Sequence, residues 1–259
     1  MNILELQTVQ TSVFKNMFEA LKDIFREINL VADVDGIYAQ SINDTHTVLT
    51  KLNLPKDKFE SYHCREKLHL GLDMDYFYKI IKTISNNDIL SLFVHEERRN
   101  ELGIKVSNPD LNTMTTYKLK LMDIPISTIT LPHVDFETEV SLYSTQFQKI
   151  IKEMNTLAKC VEISAIGNEI IFNCKGLFTE RETVIRENER GLKIIKPLRG
   201  SSIVQCVYLL KILTTFTKCT SLSPVVELKL KNDFALVIKY NVGSLGEIEL
   251  ILSNYTEED

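Results

Sequence analysis

Tryptophan is missing from this 259-residue chain, glycine occurs only nine times and proline six. The scarce glycines form no phosphate-cradling loop: neither G-x-x-x-x-G-K-[ST] nor G-x-G-x-x-G is present. H-E-x-x-H, C-x-x-C and G-x-S-x-G are also absent, which removes the common zinc-peptidase, thiol-redox and serine-hydrolase patterns. No apolar run approaches the roughly 18 residues of a membrane span. The first ten residues, MNILELQTVQ, alternate instead of forming an apolar core, so no signal peptide is expected. The five cysteines (64, 160, 174, 206 and 219) are odd in number and scattered. They predict reduced thiols in an intracellular compartment, where the sequons at Asn43 and Asn254 carry no sugar.

Metal and catalytic constellations are equally thin. Asp33-Val34-Asp35-Gly36 starts like a calcium loop, but the later ligand positions are wrong, and a β-turn fits better. Asp73 and Asp75 stand where a helix wants an N-cap. His63-Cys64 with His69 lacks a fourth ligand, and His46, His95 and His133 stand alone. The expectation is a protein with no catalytic residues, no metal and no cofactor.

What the chain does have is a soluble globular composition, 44% hydrophobic and 25% charged, with room for one large domain or two ordinary ones. Its formal charge is −5. Against that acidity, four helix-like windows each carry a lysine pair spaced by three or seven residues, close to one helix face. The pairs are Lys15 and Lys22, Lys79 and Lys82, Lys149 and Lys152, and Lys211 and Lys218. Windows 11–25, 73–84, 144–159 and 209–218 together carry +4, leaving −9 for the remainder. Such segregation suits a protein with one surface near a polyanion and the others kept away from it. Lysines also line ordinary solvated helix faces, so the pairs alone do not identify a site.

Hydrophobic periodicity predicts mostly β-structure around these helices. Strands are expected at 2–7, 28–34, 37–41, 48–54, 68–72, 89–95, 102–107 and 113–121 in the first half. The second half has them at 136–143, 161–166, 170–174, 183–186, 192–196, 225–230, 234–240 and 247–252. Helices are expected at 12–25, 76–84, 144–158 (capped by Ser144 or Thr145) and 209–218. Asp35-Gly36 and Gly167-Asn168-Glu169 are hairpin turns. Each half thus reads as strand–helix–strands, twice, the mark of duplication. Residues 1–121 and 136–259 form two domains. Residues 122–135, with Pro125 and Pro132 and no glycine, form an extended connector whose Ile124, Ile126, Ile129 and Leu131 either tuck onto the body or form a docking surface.

Several runs resemble the proliferating cell nuclear antigen (PCNA) family of DNA sliding clamps. They are Phe18-Glu19-Ala20-Leu21-Lys22-Asp23, Ala39-Gln40-Ser41-Ile42-Asn43-Asp44-Thr45-His46, Asn87-Asp88-Ile89, Lys120-Leu121-Met122-Asp123 and Phe216-Thr217-Lys218-Cys219-Thr220-Ser221-Leu222-Ser223. They lie in family order and spacing across the whole chain, which ends in the acidic Glu257-Glu258-Asp259. The resemblance implies an α+β DNA-clamp fold in a homotrimeric ring, with helices lining the inside and sheets outside. Double-stranded DNA would be held without sequence reading, and the ring would serve as processivity factor for DNA polymerase. It would also dock the clamp loader and other PCNA-motif proteins in replication and repair. The eight lysines fall at or beside the family's channel positions.

By the same resemblance, the partner-peptide pocket includes Ile42, Leu49, Ile129, Leu131, Pro132, Ala235 and Ile251, with Ser253 and Asn254 at its edge. Ala235 stands where a proline is common, Thr47 for a valine, and Ser253-Asn254 for Ala-Pro. The trimer interface would pair the strand of Tyr117 with a neighbour's Val184 and Ile185, beside Met154 and Leu157. The lysine that eukaryotic clamps modify after DNA damage falls near Gly167, so that regulation is expected to be absent. A composition rich in lysine, isoleucine and asparagine points to a large DNA virus or a divergent protist. The working place would be the nucleus, or a cytoplasmic replication site if viral. The alternatives are a checkpoint-type clamp subunit, a monomeric clamp-like processivity factor, or an unrecognised β-rich hydrolase.

Overall fold

The computed structural model describes residues 1–43, 45–125, 134–189, 191–200 and 202–256. One motif, strand–helix–three strands, is used four times. Its first use is β1 (Asn2–Thr8), α1 (Thr11–Lys22), β2 (Glu27–Asp33), β3 (Gly36–Ile42) and β4 (Val48–Pro55), followed by a 3-10 turn and β5 (Ser61–Cys64). The second is β6 (Leu68–Asp73), α2 (Met74–Ile81), β7 (Ile89–His95), β8 (Arg98–Asn108) and β9 (Thr113–Lys120). The third is β10 (Thr138–Tyr143), α3 (Ser144–Asn155), β11 (Cys160–Ile166), β12 (Glu169–Lys175) and β13 (Glu180–Arg186), followed by β14 (Lys193–Lys196). The fourth is β15 (Ile203–Leu209), α4 (Leu210–Phe216), a 3-10 turn at Thr217–Ser221, β16 (Val225–Leu230), β17 (Leu236–Val242) and β18 (Gly246–Leu252).

Contacts divide the chain into two compact units. One is Met1–Asn43, Thr50–Ile129 and Asn241–Ile248; the other is Asp44–Leu49, Thr130–Tyr240 and Glu249–Asp259. In each, the leading strand of one motif joins the meander of the other. β1 pairs with β7 while β6 pairs with β2, and β10 pairs with β16 while β15 pairs with β11, all antiparallel. Neither motif completes its sheet alone. The added strands β5 and β14 lie outside β1 and β10.

Other sheet edges are covered by passing chain. The Met122 amide donates to the Gly71 carbonyl of β6 at 2.8 Å. The Tyr255 amide donates to the Val207 carbonyl of β15 at 2.7 Å, and Asn254 Oδ1 accepts from the Val207 amide at 2.9 Å. Gly71 is required by this approach, since a Cβ there would come within 2.2 Å of the Met122 carbonyl oxygen. At the predicted Asp35-Gly36 turn, Gly36 takes φ +147°, and a Cβ would meet the Leu54 carbonyl oxygen at 2.3 Å.

The helices follow their apolar spacing. Phe14, Met17, Phe18 and Leu21 of α1 are buried, as are Met74, Phe77 and Ile81 of α2. Phe147, Ile150, Ile151 and Met154 of α3 and Leu210, Leu213 and Phe216 of α4 are buried likewise. α1 packs against α2, and α3 against α4. Asp73 caps α2 through a 3.0 Å bond from the Tyr76 amide, whereas Asp75 lies inside the first turn.

Some boundaries differ from the sequence reading. Neither Ser144 nor Thr145 caps α3: both lie within the helix, Tyr143 occupies the cap position, and no side chain caps that end. The Ser144 hydroxyl is buried without a hydrogen-bond partner among the described residues. α3 stops at Asn155, although the amides of Leu157 and Ala158 still donate to the Met154 carbonyl. β5 was not expected, and β8 and β13 begin several residues earlier than their apolar stretches, in charged sequence. No two of the five cysteines form a disulfide; among the described residues no helix is long and apolar enough to cross a membrane.

Candidate nucleic-acid interface and docking edges

The lysines divide into two environments. On α1, Lys22 follows Phe18 by four residues and Lys15 follows Phe14 by one, which places both at the border of the buried face. Both are half-buried and turned toward α2. The Lys15 ammonium donates to the Ile84 carbonyl at 3.3 Å. Lys22 Nζ lies 2.8 Å from Asp23 Oδ1 and 5.2 Å from the centroid of the Tyr78 ring. Burial, then the neighbouring Glu19 carboxylate, raises the Tyr78 pKa above the usual phenol range. The α1 lysines therefore belong to a charge-balanced junction with α2 rather than to a fully solvated stripe.

The remaining six are exposed. Lys79 sits 4.7 Å from the centroid of the Tyr76 ring on the solvent side of α2, and Lys82 occupies that helix's C-cap. A cation there is favoured by the helix dipole. Lys149 and Lys152 lie on α3, Lys211 on α4, and Lys218 in the following 3-10 turn. Gln148 Nε2 donates to the Thr217 carbonyl at 2.7 Å, and Thr220 Oγ1 to the Ser144 carbonyl at 3.3 Å. These bonds fix the helix pair of the second unit. The structure thus collects Lys15, Lys22, Lys79 and Lys82 on one packed helix pair and Lys149, Lys152, Lys211 and Lys218 on the other.

Chemically, an exposed ammonium is a hydrated point charge on a flexible stem. It attracts phosphate diffusely and has no fixed geometry with which to read a base. Among the described residues no three His, Cys, Asp or Glu side chains are placed to hold a metal. The buried Cys219 thiol is pushed up to about 12 by burial, so it stays protonated and inert at neutral pH.

The pocket residues are placed as follows. Ile42 ends β3 half-buried, Leu49 is buried in β4, and Ala235 and Ile251 are half-buried. Ser253 is exposed, and its amide donates to the Thr47 carbonyl at 3.0 Å. Asn254 is engaged with β15 through the Val207 amide. Ile129, Leu131 and Pro132 lie outside the described residues. A cavity of about 230 Å³ in the first unit is lined, among the described residues, by Asn29, His69 and connector residues Met122–Pro125, and none of the described pocket residues is among them.

At the proposed interface, among the described residues, β9 pairs only with β8 and β13 only with β12. Among the described residues no backbone hydrogen bond reaches the outer side of either strand. Tyr117 is half-buried, Val184 and Leu157 are exposed, and Ile185 is buried. Met154 is fully buried within its own unit on the apolar face of α3, so of Met154 and Leu157 only Leu157 offers surface. The sequence reading passed over Lys118 and Lys120 on β9 and Glu180 and Glu182 on β13, all exposed. For Lys118 and Lys120 the signal was present as charge recurring every second residue within the strand expected at 113–121, whereas Glu180 and Glu182 precede the strand expected at 183–186.

The family model described as proliferating cell nuclear antigen, N-terminal domain, matches residues 3–128. The model for the C-terminal domain of the same antigen matches residues 130–255. A relative called "Probable DNA polymerase sliding clamp 1", from Paramecium bursaria Chlorella virus 1, is 25% identical over 255 residues, covering 97% of this chain and 96% of that protein. With both domain models matched in order over nearly its whole length, and the same motif built twice in each unit, the chain belongs to the PCNA family.

Proposed function

We infer that the protein is a DNA sliding clamp, a non-enzymatic ring that encircles duplex DNA and keeps DNA polymerase on its template. The observation that carries this reading is the ordered match of both family domains, joined to two helix pairs that together carry six exposed lysines. Diffuse attraction from lysine lets a ring move along the phosphates, and topological closure supplies the persistence that weak contacts lack. The acidic remainder of the chain disfavours DNA binding elsewhere.

Ring closure is proposed to come from three copies joined β9 to β13. Two different open edges on one subunit form a heterologous contact, which must close or run on as a fibre. The apolar connector and the Ile42, Leu49, Ala235 and Ile251 group are proposed to receive PCNA-motif peptides of polymerases, the clamp loader and repair proteins. The viral relative supports a working place where DNA is replicated in an infected cell.

Loading onto a singly nicked circular plasmid tests the reading. Retention at high salt on the circle, loss after linearisation, and longer products from a cognate DNA polymerase are expected. Equal loss from circular and linear DNA would contradict encirclement.

A further inference from the structure

Asp135 and Phe136 lead into β10, which is flanked by β14 on one side and β16 on the other. Cations reach this segment from both neighbours. Lys196, the last residue of β14, donates through its ammonium to Asp135 Oδ1 at 2.5 Å and to the Phe136 carbonyl. Lys231 directly follows β16, whose last residue, Leu230, accepts from the Glu137 amide at 3.0 Å. Arg199 is exposed shortly after Lys196, in a turn where the Ser202 amide donates to the Arg199 carbonyl at 3.4 Å. The Lys196 contact, and then the charges of Arg199 and Lys231, hold the Asp135 carboxyl below the usual carboxylate range. Of the neighbouring acids, Glu137 Oε1 accepts from the Asn232 amide at 3.2 Å, and Asp233 is exposed at the turn that follows.

This cluster has unused capacity. An ammonium carries three donors, and Lys196 spends two of them on Asp135 and Phe136. Among the described residues neither Arg199 nor Lys231 has an ion-pair partner. The Asp135 side chain is 74% exposed, and such an exposed pair contributes little net stability, so an outside carboxylate can share its place or take it. Beside the cations the Phe136 and Phe234 rings meet edge-on, with centroids 6.0 Å apart, and both are half-buried, which leaves part of the aromatic pair at the surface. Phe234 adjoins Ala235, a residue of the expected partner-peptide pocket, and Asp135 is the last residue of the connector. The segment that fits here carries a carboxylate close to an apolar side chain, which describes a peptide. Duplex DNA fits less well, because Asp135 and Asp233 stand at the cluster and three local cations offer a phosphate backbone no track to follow.

We propose that Lys196, Arg199 and Lys231 form a carboxylate-reading site beside the partner-peptide pocket, which selects PCNA-motif peptides flanked by acidic residues and is occupied by Asp135 in their absence. The proposal rests on the peptide-docking reading above and adds a charge preference to it. Arg199 supplies a planar fork suited to a carboxylate, and Lys196 is already fixed in place by two acceptors. On a chain with a net charge of −5, a local cationic site discriminates by contrast: an acidic flank is attracted at this point and repelled by most other surface.

Fluorescence anisotropy of the full chain with four labelled peptides tests it. All four share one PCNA motif, with a pair of glutamates or a pair of glutamines placed directly before or directly after it. In one placement the glutamate peptide should bind about three- to fivefold more tightly than its glutamine counterpart at low salt, and the preference should vanish at about 0.5 M salt. Arg199→Ala with Lys231→Ala should abolish the preference while affinity for the glutamine peptide and the melting temperature stay unchanged, since neither side chain has an ion pair to lose. Asp135→Asn should increase the preference, because the internal competitor is gone; a cluster with only a structural role gives no such gain. Equal affinity for the glutamate and glutamine peptides in both placements overturns the proposal. So does a preference that persists in the double variant, or one that Asp135→Asn weakens. A double variant that keeps the preference but loses duplex DNA binding assigns the cations to phosphate and overturns it too. If none of the four peptides binds the wild type, the peptide-docking reading falls with it. Binding of all four with equal affinity leaves that reading standing and removes only this proposal.

Discussion

The Phe18 ring of α1 meets the Phe77 ring of α2 edge-on, with centroids 4.7 Å apart and planes inclined by 75°, while Phe14 adds a tilted contact to Phe18 at 4.8 Å. Such a pair contributes about 0.5–1.5 kcal/mol beyond the area it buries. Here it also fixes the relation between two lysine-bearing helices that are distant in sequence. With the aromatic rings holding the apolar sides together, Lys15 and Lys22 are drawn into the α1–α2 junction, and Lys79 and Lys82 are left facing solvent.

That division predicts unequal effects of charge reversal. Lys79→Glu with Lys82→Glu, or Lys149→Glu with Lys152→Glu, should lower association with duplex DNA and flatten its salt dependence. The log–log slope should fall by roughly 0.9 for each phosphate contact removed. Lys15→Glu with Lys22→Glu should reduce DNA association less and the melting temperature more, since those ammonium groups already have partners in the fold. Fluorescence anisotropy at several salt concentrations, paired with thermal melts, separates the two behaviours. Equal DNA losses with unchanged melting would show that all four helices contribute alike.

A second contrast concerns Tyr117 and Met154. Met154→Ala removes a fully buried side chain and should cost about 2–5 kcal/mol of unfolding free energy, with the subunit contact affected only through that loss. Tyr117→Ala removes a half-buried side chain at an open edge, so it should loosen assembly while leaving the dissociated subunit close to wild-type stability. Denaturant titration and concentration-dependent light scattering give the two readouts. A Tyr117→Ala protein that remains fully assembled at low concentration would place the subunit contact elsewhere.

Much of the fold is written in local periodicity, and its four helices and most strands can be read from it. Val225–Leu230 and Ile89–His95 coincide with their apolar runs because alternation there is uninterrupted. The exchange of leading strands is different: nothing in β1 itself says that its partner is β7 rather than β2, since pairing depends on residues about 80 to 90 positions away. β5 escaped because Ser61-Tyr62-His63-Cys64 has only one fully buried residue, and its regularity comes from pairing with β1. The lysine pairs were legible as a pattern. Their environments were not, because the separation of Lys22 from Lys79 depends on how α1 rolls against α2. The α3 cap misled for a related reason: Ser144 has the right residue type, but its hydroxyl is turned into the buried interior.

Cys219 carries a pH dependence with a definite sign. Burial moves its thiol from an ordinary value of 9.0 to about 12 in the folded protein. A raised folded-state value means that the unfolded chain releases this proton first as pH rises. The resulting stability is fully present below about pH 9 and is lost as pH climbs toward 12. Unfolding free energy should therefore fall through that window, and Cys219→Ala should flatten part of the slope. Iodoacetamide at pH 8 should leave Cys219 unmodified in the native protein and label it in urea, as mass spectrometry of the peptides would show. Rapid native labelling would contradict the burial.

Gly71 offers a test of the link between sheet edge and connector. Its α-carbon faces the Met122 carbonyl so closely that a methyl group would sit 2.2 Å from the oxygen, inside any tolerable contact. Backbone cannot yield as a flexible side chain does, so Gly71→Ala should push Met122 off β6 and break the bond from the Met122 amide to the Gly71 carbonyl. Loss of that backbone hydrogen bond should cost about 0.5–1.5 kcal/mol. The sheet core beneath, with Leu70 and Leu72 buried, should remain folded. Hydrogen exchange should quicken at Met122 and neighbouring connector amides while β1 and β7 keep their protection. If the connector forms one wall of the partner pocket, affinity for a PCNA-motif peptide should fall in the same variant, because a displaced wall presents its apolar residues at the wrong distance. Faster exchange at Met122 with unchanged peptide affinity would separate the connector from that pocket and move peptide binding to surface that β6 does not anchor.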